Sequence, residues 1–101
     1  MEKTYYVYLL ASGRNGTLYT GVTNNVVARV AQHREGQPGS FTTRYGVTRL
    51  VWFETHTSID AAIHREKQIK RWRRAWKIAL LTESNPDWSD LYPELAKGNW
   101  F

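Results

Sequence analysis

Hydrophobic and polar positions alternate in short blocks along this chain. Residues 4–11 read Thr-Tyr-Tyr-Val-Tyr-Leu-Leu-Ala, a run of β-branched and aromatic types that predicts a first strand. Ser12 to Gly16 is dense in turn formers, and Asn15 with Gly16 offers the positive-φ positions of a tight hairpin. Thr17 to Val22 predicts the returning strand. Thr23, Asn24 and Asn25 are N-cap candidates ahead of a helix from Val26 to Glu35, stopped by Gly36. Residues 37–48 break all periodicity and predict a surface loop punctuated by Pro38, Gly39 and Gly46. Phe41 and Tyr45 in that loop either pack back as anchors or touch a ligand.

Arg49 to His56 predicts a third strand, with Leu50, Trp52 and Glu54 on one face and Val51 and Phe53 on the other. Thr57 and Asp60 have the spacing of a capping box and open a helix that runs through Ala61 to about Arg71. A bend near Trp72 and Arg73 leads into a further helix ending near Thr82. Ile59, Ala62, Ile63, Ile69, Trp72, Trp76, Ala79 and Leu80 make the apolar stripe, which assigns both tryptophans to the core. Asn85, Pro86 and Asp87 end helical structure. The aromatic tail, Trp88 to Phe101, wraps over the core and then frays.

Together these elements predict an α+β fold. Residues 1–101 form one small domain, with a three-stranded, mostly antiparallel sheet flanked by about three helices. Its core spans about 4–83 and its aromatic tail 84–101. The chain has no cysteine, which excludes disulfides and thiolate metal sites and suits a reducing compartment. No apolar leader follows Met1 and no apolar run approaches membrane-spanning length, so a cytoplasmic protein without a membrane partner is expected.

The formal charge is +5, and its distribution says more than its size. Lys67, Lys70, Arg71, Arg73, Arg74 and Lys77 crowd into one helical segment. Lys67, Lys70, Arg71 and Arg74 read either as a phosphate-binding face or as a solvated one. Arg44, in the loop beside the hairpin, is a further candidate phosphate contact.

The candidate chemistry sits in the first third of the chain. Tyr6 and Tyr8 share a strand face, and Arg29 and His33, four apart, share a helix face. The hairpin and its following helix thus bring phenols, a guanidinium and an imidazole toward one cleft. Those groups suit a phosphodiester, since arginine grips phosphate oxygens and tyrosine or histidine moves a proton. Gly21 is either a plain strand glycine or a point of close backbone approach to a ligand. Glu66 interrupts the apolar stripe of its helix. A buried carboxylate is costly unless paired or metal-bound, so it has either a partner such as Arg29 or Lys67, or a metal.

Tyr6, Val7 and Tyr8, then Tyr19, Thr20 and Gly21, then Arg29, His33 and Glu66, resemble the GIY-YIG endonuclease superfamily. The chain is most similar to the small bacterial members. Val51 to Glu54, Ala62 to Lys77 and Asn85 to Trp88 extend the likeness over nearly the whole chain. The resemblance implies metal-dependent hydrolysis of DNA phosphodiesters, with RNA left open, in repair or recombination. It implies Arg29 as the phosphate-neutralising group and Glu66 as the ligand of Mg²⁺ or Mn²⁺. Tyr8 is the favoured base, with His33 assisting and Tyr19 a phosphate or water ligand; exchanged tyrosine roles are the alternative. A phenol needs cationic neighbours to act as base near neutral pH, and Arg29, His33 and the metal are the expected ones.

The chain departs from the family pattern at Tyr6, where the family name has glycine, and at Thr20, where it has isoleucine. Many members also carry an asparagine downstream of the metal glutamate, where this chain has Lys77 to Leu81; Asn85 is read as capping the Pro86 turn. The competing reading is a catalytically weak or silent nucleic-acid-binding module inside a larger complex, its aromatic tail docking a protein partner.

Overall fold

The computed structural model describes residues 3–36 and 38–98. The elements, in order, are β1 (Tyr5–Ala11), β2 (Leu18–Thr23), α1 (Val26–Glu35), α2 (Phe41–Tyr45), β3 (Arg49–His56), α3 (Ile59–Arg71), α4 (Arg74–Ser84) and α5 (Tyr92–Ala96). The sheet has the order β2-β1-β3, and β1 pairs antiparallel with both neighbours. The expected α+β architecture, with a three-stranded antiparallel sheet and flanking helices, is the one observed.

Because side chains alternate along β1, this central strand feeds both faces of the sheet. Val7, Leu9 and Ala11 meet Val51, Trp52, Ala62, Ile69, Leu81 and Trp88 on the α3 and α4 side. Tyr8 and Leu10 meet Val26, Val30, Val47, Leu50 and Leu95 on the α1 side. The alternation expected for β3 fails at one point. Leu9 pairs with Trp52 but Leu10 pairs with Leu50, so Val51 is the extra residue of a β-bulge. The bulge swings Leu50 to the α1 face with Phe53, and sets Val51 beside Trp52 on the other.

The helix ends follow local chemistry with small shifts. Asn25 caps α1, its side chain accepting from the Ala28 N–H at 3.1 Å. Ser58, rather than Thr57, caps α3, accepting from the Ala61 N–H at 3.3 Å. Residues 37–48 are not all loop, because Ser40 caps a five-residue helix that ends at the left-handed Gly46. Of the two expected positive-φ turn residues, Asn15 adopts one, with φ of 59°.

Trp72 and Arg73 are both extended, which breaks α3 from α4 as expected. The break also shifts the helical phase, so α4 buries Leu81 and does not continue the α3 stripe. Trp76 is therefore 52 % exposed, against the expectation of a core residue, while Trp72 is half-buried. Ile59, at the start of the stripe, is exposed as well.

The core does not stop near residue 83. Trp88 is buried at positive φ (56°), and Leu95 is buried on the α1 face. Asn85 organises this segment. Its Nδ2 donates to the carbonyl of Val51, the bulge residue, and to that of Ser89, both at 2.9 Å. Its Oδ1 accepts from the Ser89 N–H at 3.0 Å. Asp90 pairs with Arg34 and accepts from the Leu50 N–H, and Arg34 lies over the Tyr92 ring. Leu91, Tyr92 and Leu95 are thus packed against the α1 side of the fold. The rest of the tail, with Trp100 and Phe101, lies outside the described residues.

Candidate active site

The site forms where the β1–β2 hairpin meets α1 and α2. Tyr8 leaves the α1 face of β1, and its register partner on β2 is Gly21. A Cβ on Gly21 would lie 2.4 Å from the Tyr8 phenol carbon and oxygen. Glycine is needed there because the tyrosine ring crosses the strand at that point. The space that a side chain at Gly21 would take is filled by the Tyr8 ring.

The Tyr8 hydroxyl reaches His33 Nε2 at 3.1 Å. The other ring nitrogen, Nδ1, is 3.1 Å from the Thr42 hydroxyl. Tyr19 meets the His33 ring edge-on with centroids 5.3 Å apart, and lies 6.4 Å from the Tyr8 ring. A cleft of about 160 Å³ opens over this group, lined by Tyr19, Arg29, Gln32, His33, Ser40, Phe41 and Thr42. Arg29 is exposed at its rim and hydrogen-bonds Gln32 at 3.3 Å. Tyr8, Tyr19, Arg29 and His33 are thus brought together as their spacing predicts.

Their electrostatics differ from expectation in one respect. Burial pushes the Tyr8 phenol up to about 12, with help from Tyr19 and Glu66, and the Arg29 guanidinium opposes this by hydrogen bonding and charge. His33 is held below its ordinary range, by burial first and by Arg29 second. The imidazole is therefore neutral near pH 7 and is not one of the cations that stabilise a phenolate. What it offers Tyr8 is a hydrogen-bonding nitrogen.

Glu66 is buried on α3, at 7 % exposure. Its charge is felt by Tyr8. Its partner is neither Arg29 nor Lys67 but Lys70, one turn on, whose ammonium lies 2.7 Å from Oε1. The contact is an ion pair, and the buried Oε1 has no further hydrogen-bond partner. A buried carboxylate held by a single ammonium, close enough for its charge to reach Tyr8, is a hard oxygen donor that suits a hard cation. Among the described residues no group of three His, Cys, Asp or Glu side chains is arranged as a metal cage. A cation at Glu66 would thus draw its remaining oxygens from water and phosphate.

The basic face divides. Lys67 and Arg71 are exposed on α3, and Lys70 pairs with Glu66. Arg74 donates to the carbonyls of Asn15 and Gly16 at 2.8 and 2.7 Å, clipping α4 to the hairpin turn. Arg74 thus has a structural task that the sequence pattern does not reveal. Arg44 lies 5.5 Å over the Tyr45 ring and does not line the cleft. Phe41 and Tyr45 are 46 and 48 % exposed, stacked on each other rather than packed into the core. Asn85 is structural, as expected, and Glu54 is held by His56 and Arg65.

The pattern misses Thr42 and Gln32 as members of the site. Thr42 has a legible signal in retrospect, since Ser40 followed by Thr43 is an N-cap spacing that announces α2.

Comparison with known proteins agrees with this geometry. A family model of the GIY-YIG catalytic domain matches residues 4–79, and the chain belongs to the GIY-YIG family, a family of nucleases. Its relatives carry the name UPF0213. One from Natronomonas pharaonis is 40 % identical over 83 residues, 82 % of this chain and 96 % of that protein. One from Staphylococcus epidermidis is 35 % identical, covering 82 % of this chain and 99 % of that one. The solution structure of the Bacillus halodurans UPF0213 protein BH0048 is 29 % identical, with a TM-score of 0.54 over 86 % of this chain and 92 % of that chain. Among the described residues no helix is long and apolar enough to cross a membrane.

Proposed function

We propose that this protein is a metal-dependent DNA endonuclease, structure-selective or weakly selective, acting on repair or recombination substrates in the cytoplasm. The observation that carries the reading is one arrangement. A buried tyrosine is hydrogen-bonded to a neutral histidine under a cleft that an exposed arginine lines, and it feels the charge of a buried carboxylate on α3.

In this mechanism Arg29 grips the scissile phosphate and neutralises charge as it builds in the transition state. The attacking water gives its proton to the Tyr8 oxygen while the Tyr8 proton moves to His33 Nε2, so no free phenolate has to accumulate. The water oxygen bonds to phosphorus, the bond from phosphorus to the leaving sugar oxygen breaks, and that oxygen takes a proton from solvent. Mg²⁺ or Mn²⁺ at Glu66 would supply Lewis-acid stabilisation of the leaving oxygen. Tyr19, in the cleft, orients the phosphate or the water.

The test is cleavage of labelled linear duplex, single strand, flap, three-way and four-way junctions with Mg²⁺ or Mn²⁺. The parent is compared with Arg29→Ala and Glu66→Ala. Metal-dependent nicking by the parent, lost in both variants, is the expected result. Binding by all three proteins with no cleavage of any substrate would replace the nuclease by a nucleic-acid-binding module.

A further inference from the structure

We propose that Thr42 is a positioning residue that accepts from His33 Nδ1–H and so completes the tautomer in which Nε2 is free to accept from Tyr8. The effect on turnover rests on the nuclease reading above; the effect on the ring does not.

A neutral imidazole has one N–H and one lone pair, and the ring of His33 has a hydroxyl at each end. Tyr8 Oη lies 3.1 Å from Nε2, and Thr42 Oγ1 lies 3.1 Å from Nδ1. Two proton arrangements are possible. In one, the Nδ1–H donates to Thr42 and Nε2 accepts from the Tyr8 O–H. In the other, the Thr42 O–H donates to Nδ1 and the Nε2–H points at Tyr8.

The surroundings choose the first. Tyr8 is 1 % exposed, so its phenolic hydrogen must find an acceptor within the protein. Among the described residues, His33 Nε2 is the acceptor hydrogen-bonded to that hydroxyl. The second arrangement would strand a phenolic hydrogen in a buried site, and an unsatisfied buried donor costs about 1–3 kcal/mol. The first strands nothing, because Thr42 can turn its own hydrogen toward Ser40 Oγ, 3.5 Å away.

Thr42 is placed to hold this state. It is 3 % exposed, and its carbonyl accepts from the N–H of the buried Val47 at 2.8 Å. Ser40 caps the short helix that carries it. The catalytic consequence is direct. A histidine that presents an N–H to its proton donor cannot take the proton, whereas one with Nε2 unprotonated can. After transfer, Nε2–H faces the Tyr8 oxygen and Nδ1–H still faces Thr42, so both donors of the imidazolium remain bonded.

The test reads the ring first and turnover second. Two-bond proton–nitrogen correlation spectra of the free ¹⁵N-labelled protein, near pH 7.5, give the His33 tautomer without DNA or metal. The parent should show the Nδ1–H form. Thr42→Val, isosteric but without the hydroxyl, should lose that preference, and Thr42→Ser should keep it. With a cleaved substrate in hand, kcat for Thr42→Val should fall about 10- to 100-fold, the range for removing a partner that orients a reacting side chain. KM should change little, and Thr42→Ser should recover most of the rate.

An Nε2–H tautomer in the parent overturns the proposal with no variant needed, so a poorly folding Thr42→Val does not protect it. A tautomer change with unaltered kcat overturns the catalytic consequence. Absence of cleavage by the parent sinks the nuclease reading, and the catalytic half of this proposal with it, while the spectrum still decides the tautomer.

Discussion

Tyr8 and Leu9 are neighbours on β1 and sit in two different environments. Leu9 points to the α3 and α4 side, where it meets Ile69, Leu81 and Trp88 and has no exposed surface. Tyr8 points to the α1 side, equally buried, but its hydroxyl opens a chain of polar contacts through His33 to Thr42. A small fold can therefore build a site without a separate scaffold. One strand supplies alternate residues to a dry core and to a reacting group, and the core holds the reacting group still.

Paired substitutions separate the two faces most strongly. Tyr8→Phe should lower cleavage about 10²- to 10⁴-fold, the contribution typical of positioned proton transfer. Its cost in stability should be only about 1–3 kcal/mol, from the polar groups left unpaired. Leu9→Ala should do the reverse, costing about 2–5 kcal/mol in urea unfolding with little change in turnover per folded molecule. Equal losses of activity in the two variants would show that the faces are not separable.

Gly21→Ala should damage both properties at once. The added methyl meets the Tyr8 ring well inside van der Waals distance, so the ring must move or β2 must shift. A stability loss of about 1–3 kcal/mol is expected, together with abolished cleavage. Unchanged activity would mean that the ring position is not critical.

A third contrast is spectroscopic. The Tyr8 phenol, pushed up to about 12 by burial, should ionise after an ordinary tyrosine as pH is raised. Ultraviolet titration of the parent should show a late component that Tyr8→Phe removes. Linkage sets the sign of the accompanying change in stability. An acid whose folded pKa is raised contributes stability fully present below its unfolded value near 10, and that stability is lost as pH climbs from there toward 12. Tyr8→Phe should therefore flatten the alkaline fall in stability over that window.

The smallest effect concerns the basic face. Removing the charges of Lys67 and Arg71, both exposed, should reduce the slope of log affinity against log salt by up to about 0.9 for each duplex phosphate that these side chains neutralise. Arg74→Ala should instead loosen the hairpin turn, because its guanidinium serves two backbone carbonyls there. An unchanged salt slope in the Lys67 and Arg71 variant would remove that face from the binding surface.

Much of this protein is decided locally. The strand runs, the Asn25 cap, the break at Trp72 and Arg73, and the four-residue spacing of Arg29 and His33 all follow from propensity and period, which act over a few residues. So does the interruption of the α3 stripe by Glu66, visible as a carboxylate where an apolar residue belongs.

What lay beyond the sequence depends on partners far apart in the chain. The bulge at Val51 exists in register with β1, and Asn85, 34 positions away, satisfies its carbonyl. The phase shift that exposes Trp76 comes from how α4 docks, and the engagement of Arg74 comes from a turn 58 residues upstream. Thr42 joins His33 because α2 folds back over α1. Gly21 is glycine because of a ring on the neighbouring strand. Propensity fixes which elements form; only packing decides which atoms meet, because hydrogen bonds and excluded volume act over a few ångströms of space and not along the chain.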